Sequence, residues 1–160
     1  MHVSVSSQPT CNSTKEAYFV ILDNMQVQDK SSLNSNDTEL IEVAAKHAKE
    51  RFQEDFISIG GALRTKSGKI YTGINLKYHV RNTSACAETM AIYAALNEGE
   101  HDFDTVVGVK YFPGTDSFEV VNGCGWCRQL FSYNTPLKVI IDNDGKLEVI
   151  EADDLIPYAF

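Results

Sequence analysis

Two short stretches of this sequence carry residues that can do chemistry together. "CGWCRQ" supplies Cys124 and Cys127, and "SACAE" supplies Cys86 and Glu88. Taken alone, the Cys124/Cys127 pair fits a redox dithiol, half of a zinc ribbon, or part of a catalytic metal site. Cys86 raises the set to three thiols, whereas a closed structural zinc site needs about four protein ligands. Three ligands leave an open position for water, whose pKa zinc would lower to near neutrality. Glu88 follows Cys86 by two positions in the same predicted first turn. There it can carry a proton from that water to a leaving group, or merely complement the helix dipole. Each of the two motifs is predicted to open a helix, where free N–H groups and the partial positive charge favour thiolate over thiol. Cys11, the remaining cysteine, stands in a Ser-rich leader and is read as incidental.

The elements that must position these residues follow from hydrophobic period and turn chemistry. Asn36 or Asp37 is predicted to cap a helix running to about residue 52. Leu40, Ala44 and Ala48 line one face of it, with Ile41, Ala45 and Phe52 beside them. "ISIGGALRT" and "IYTGIN" flank a polar connection at 66–69, so two antiparallel strands are predicted at 57–65 and 70–75. After a loop at 76–83, Ser84 is expected to cap a helix over 85–97 that Gly99 stops. Strand "TVVGVKYF", a short helix from Cys124, strand "LKVIID", a turn at Asn143-Asp144-Gly145, strand "LEVI" and a terminal turn complete the chain. Strands separated by helical segments imply an α/β layer fold with a partly parallel sheet. Residues 1–36 read as a flexible or loosely docked leader, its apolar run "AYFVIL" a candidate for an extra strand on the body, and residues 37–160 as the one domain.

The 160-residue length suits one domain with a sizeable core. A formal net charge of -8 disfavours a polynucleotide partner, whose binding draws on many Lys and Arg contacts. No apolar run approaches the ~20 residues of a membrane span, and the first residues lack the basic start and apolar stretch of a secretory signal. A cytoplasmic protein is expected, so the sequons at Asn12, Asn36 and Asn82 are read as coincidence.

"CAE" followed by "CGWCRQ" resembles the zinc site of the cytidine deaminase family. The resemblance extends over "ISIGGALRTKSGKIYTGINLKYHVRNTSACAETMAIYAALNEG" and "DLIPYAF", roughly residues 39–160. It implies a three-layer α/β/α fold with a mixed five-stranded sheet. It also implies one Zn²⁺ per subunit on Cys86, Cys124 and Cys127, with Glu88 as the proton shuttle. The implied reaction is hydrolytic attack at C4 of a cytosine ring with loss of ammonia. Arg128 matches an arginine that donates hydrogen bonds to ligand sulfurs, offsetting the net negative charge of three thiolates on Zn²⁺. Ala87 matches a residue whose backbone contacts the pyrimidine, and Asn75 one that holds the ribose. Phe160 matches an aromatic that reaches a neighbouring subunit's pocket, which implies a homotetramer with shared sites. The implied partner is a small-molecule nucleoside, with neither nucleic acid nor membrane.

Four positions depart from the family pattern. Lys77 stands where a glutamate accepts a ribose hydroxyl, Arg81 replaces a tyrosine, Gly123 a proline and Ile57 an aromatic wall of the base pocket. Lys77 and Arg81, with His79 between them, would make the sugar side cationic. They would then favour a substrate bearing a carboxylate or phosphate, such as the cytosine antibiotic blasticidin S. The alternative is that these side chains point to solvent. A relative that keeps zinc but only binds nucleosides would have no need of Glu88. Trp126, between two of the cysteines, is expected to pack against the helix that carries Cys86.

Overall fold

In the computed structural model, which describes residues 33–160, the first helix opens ahead of its expected cap. Helix α1 spans Ser35–Glu50 with Asn34 as N-cap, rather than Asn36 or Asp37. The Asn34 carboxamide oxygen accepts from the backbone N–H of Asn36 (2.8 Å) and Asp37 (3.0 Å). In return, the Asp37 carboxylate accepts from the N–H of Asn34 at 3.3 Å, closing a capping box. Asn34, Asn36 and Asp37 are all good cap residues. The reciprocal pairing, which needs an acid three positions after the cap, selects Asn34. The expected boundary at 36/37 therefore cuts the first turn of α1, and the leader through residue 32, with Cys11 and "AYFVIL", lies outside the described residues.

Six strands form one mixed sheet among the described residues: β1 Ile59–Thr65, β2 Ile70–Ile74, β3 Phe103–Phe112, β4 Ser117–Val121, β5 Lys138–Asn143 and β6 Lys146–Glu151. The order is β2-β1-β3-β5-β6, with β4 also paired to β3. Only β3 and β5 run parallel. The expected five strands are therefore one short. The missing one, β4, shares an edge of β3 with β5: β4 takes Gly108 to Phe112 and β5 takes Thr105 and Val106. A short segment docked on half of another strand's edge leaves little trace in sequence period.

Alternation along β1 and β3 sends neighbouring residues to opposite faces. Ala62, Val107 and Val109 pack with Leu40, Ile41 and Ala44 of α1. Leu63 and Val106 pack on the other face with Ala91 and Ile92 of helix α2, Ala87–Asn97, and with Phe131 of helix α3, Gly125–Ser132. Two cores on either side of one sheet give the expected α/β/α layering. The Arg64 guanidinium, largely buried, joins the layers by bonding Asp37 of α1 (3.0 Å) and Asp104 of β3 (2.7 Å). Among the described residues, no helix is long and apolar enough to cross a membrane.

Candidate metal centre

The start of α2 differs from its expected position in a way that frees a ligand. Leu76 and Ala85 exchange backbone hydrogen bonds of 2.9 and 3.0 Å, which keeps residue 85 extended and delays the helix to Ala87. Cys86 thereby becomes the N-cap, and its side chain makes no capping bond. Ser84, the expected cap, instead uses its hydroxyl to accept from Tyr78 N–H (3.0 Å) and donate to Tyr78 C=O (3.3 Å). Cys124 caps α3, again without a side-chain capping bond. Both sulfurs are left for other partners at helix N-termini, where thiolate is favoured.

The three sulfurs converge. Cys86 Sγ lies 3.6 Å from Cys124 Sγ, and Cys124 Sγ lies 3.8 Å from Cys127 Sγ. All three fall within 4.8 Å of one another, the one such group of potential metal ligands among the described residues. Zinc–sulfur bonds of about 2.3 Å in tetrahedral geometry set ligand sulfurs about 3.8 Å apart, so the donor set fits that ion. Thr89 adds a hydroxyl 3.7 Å from Cys127 Sγ. This contact was missed in the sequence, although Thr89 follows Cys86 by one helical turn and so shares its face.

Burial and the neighbouring groups shift the acids here. The thiols of Cys127 and then Cys124 hold Cys86 down to about 6 against the opposing effect of burial. Its hydrogen bond to Cys86, followed by burial, pushes Cys127 well up. Burial raises Glu88 to about 7; its own backbone N–H pulls it down and the charge on Cys86 pushes it up. Glu88 is 6% exposed, in the first turn of α2. Two glycines make room for it. A Cβ at Gly61 would lie 2.5 Å from the backbone of Ala87, and one at Gly108 would lie 3.0 Å from the Glu88 carboxyl carbon. The sheet is thus bare where α2 presses its N-terminus against it.

The other expected site residues are placed as follows. Ala87 is fully buried at the first helical position, where its N–H has no partner within the helix. The Asn75 carboxamide oxygen is taken by Ser58 and Ile59 N–H (2.9 and 2.7 Å), and its NH₂ reaches Phe56 C=O at 3.4 Å. Ile57 belongs to a tight turn closed with Gln53 rather than to β1, which begins at Ile59 because Asn75 braces that entry. Lys77, His79 and Arg81 are exposed on the loop between Leu76 and Ala85, and none of them forms a salt bridge among the described residues. Tyr78 and Phe56, not anticipated from sequence, form an edge-to-face ring pair 5.3 Å apart that ties this loop to the turn before β1.

Arg128 departs from its expected role. Its Nε donates to Gly123 C=O at 2.8 Å, and Nη1 reaches Leu155 C=O at 3.5 Å, while no hydrogen bond to a cysteine sulfur exists among the described residues. Arg128 thus braces the turn that leads into Cys124. Trp126 is 71% exposed rather than packed on α2. Cys127 and Phe131, one turn apart, take the buried side of α3 and rotate Trp126 outward. Phe160 is fully exposed, held through its N–H to Gln129 Oε1 at 3.5 Å.

Residues 34–141 match the family model described as the cytidine and deoxycytidylate deaminase zinc-binding region. A Bacillus cereus protein named blasticidin-S deaminase is 34% identical over 134 residues, covering 81% of this chain and 95% of the relative. A cytidine deaminase of Halalkalibacterium halodurans is 31% identical, covering 64% of this chain and 76% of the relative. Among solved structures, cytidine deaminase from Burkholderia pseudomallei superposes with a TM-score of 0.63 at 32% identity, covering 80% of this chain and all of the other (100%).

Proposed function

The chain belongs to the cytidine and deoxycytidylate deaminase family, and from that premise we propose that it converts a free cytosine nucleoside to the uracil form. It is a zinc-dependent hydrolytic deaminase of the cytidine type. In this reading Cys86, Cys124 and Cys127 hold the zinc, one ion per subunit, and Glu88 moves the proton. The observation that carries it is the convergence of three thiols on the first turn of the helix that buries Glu88. Zinc, when bound, supplies a Lewis acid for the water nucleophile. Glu88 takes the proton of the attacking water and delivers it to the leaving amine, so that C4–NH₂ and water become C4=O and ammonia. Ala87 offers its free N–H to the pyrimidine, and the Asn75 NH₂ is the part of that side chain left to meet a sugar hydroxyl. Arg128 positions Cys124 by holding the carbonyl before it.

A second reading keeps the reaction and changes the substrate. Among the described residues Lys77 and Arg81 have no ion-pair partner, on a loop hydrogen-bonded next to Cys86, and the first relative above is named for blasticidin S. An anionic sugar substituent would then be preferred. Following the ultraviolet change for cytidine, its 5'-monophosphate and blasticidin S separates the readings. Cytidine turnover unaffected by Lys77→Glu/Arg81→Glu supports the first. A preference for the anionic substrates, weakened about tenfold or more in that variant, supports the second, since a lost charge-assisted bond is worth roughly 1.5–3 kcal/mol. Zinc-loaded protein inactive on all three overturns both.

The same reading extends to assembly as a homotetramer. Phe160, Tyr158, Trp126 and Tyr133 are all exposed, on or next to α3 and at the end of the sequence, and further copies of the chain would cover them, with Phe160 entering a neighbour's site. Sedimentation velocity should show a tetramer that Phe160→Ala weakens. A monomer at micromolar concentration would refute this.

A further inference from the structure

Gly123 leaves the turn into Cys124 without a side chain to restrain it. The structure restrains that turn from both sides. Immediately before it, the Asn122 carboxamide makes a two-point bond with one residue of β5: Nδ2 donates to Asp142 C=O at 2.8 Å, and Oδ1 accepts from Asp142 N–H at 2.9 Å. The pair imitates a step of backbone ladder, in a place where β4 is hydrogen-bonded to β3 and not to β5. Asp142 is itself fixed by pairing with Leu147 of β6 and by accepting the Gly145 N–H at 2.6 Å. Immediately after it, Arg128 holds the Gly123 carbonyl, and the Phe131 ring lies 3.0 Å from where a Gly123 Cβ would be.

We propose that Asn122 is a positioning residue for the metal site, anchoring the turn to β5 so that the Cys124 sulfur is held beside those of Cys86 and Cys127 before any ion arrives. The proposal rests on the reading that Cys124 is a zinc ligand. Its physical basis is preorganisation: a ligand held in place loses little freedom on binding the metal, and groups that orient ligands commonly govern affinity about 10–100-fold. Asn122 is exposed and fills no core position, so its bonds act on the turn rather than on packing.

Metal-free full-length protein is titrated with Zn²⁺ against a chromophoric chelator, and with Co²⁺ to read the thiolate charge-transfer band. Native protein takes one ion per chain. Asn122→Ala is expected to weaken binding about 10–100-fold, while the thermal midpoint of the metal-free form stays near native. Asn122→Asp, of the same shape, weakens it at least as much, because an acceptor then faces the Asp142 carbonyl. Native affinity in either variant overturns the proposal. So does a loss of metal-free stability that accounts for the affinity loss. Native protein that takes no ion overturns the zinc assignment itself, a different result.

Discussion

Glu88→Gln is expected to lower deamination about 10²–10⁴-fold, the range that a positioned proton carrier contributes, while zinc content stays at one ion per chain. The amide keeps the shape of the carboxyl group in the narrow space beside Gly108, so the fold has no reason to shift. It also replaces a carboxyl whose charged form burial opposes, so the thermal midpoint should not fall. What is lost is the ability to accept a proton. Were Glu88 there only to complement the dipole of α2, its replacement would change activity little. Activity within about threefold of native, with zinc bound, would remove Glu88 from the mechanism.

Cys124→Ser is expected to reduce bound zinc to background after chelator dialysis and to abolish activity. Three thiolates are the whole proposed ligand set, so losing one leaves two for an ion that prefers four-coordinate sites. The choice of cysteine matters. Cys127 is fully buried in the core formed with Phe131 and Leu137, so replacing it mixes a packing loss with a ligand loss. Cys124 is exposed, so serine there tests ligation without a packing loss. Binding that favours the folded state stabilises it by about 4.1 kcal/mol when free ligand is 1,000 times Kd. Chelator should therefore lower the native thermal midpoint and leave that of Cys124→Ser unmoved. Equal zinc content in the two proteins would exclude Cys124 as a ligand.

Much of this is legible in the sequence. Strong periodic segments identified α1, α2 and the β1–β2 hairpin, and the errors fell at their ends. Ser84 looked like a cap because side-chain type is visible in a sequence, whereas the Leu76–Ala85 backbone pairing that delays the helix is not. β4 was missed because five residues on half of another strand's edge owe their conformation to the partner. The resemblance implies that Arg128 bonds to sulfur, whereas its Nε donates to the Gly123 carbonyl, a main-chain partner that side-chain type does not reveal.

By itself the sequence determined which residues could hold a metal and move a proton, three cysteines and a glutamate, while its resemblance to the cytidine deaminase family, not their spacing, supplied the reaction class. It also determined the alternation of strands and helical segments from which a layered α/β fold follows. Tertiary structure alone decided whether the thiols meet, since the distance between Cys86 and Cys124 depends on how α2 and α3 lie on the sheet. It alone decided that Glu88 is buried, which the bare glycines of β1 and β3 permit. It alone revealed Asn122, whose partner is a backbone group on a distant strand, and main-chain partners leave no mark in side-chain type.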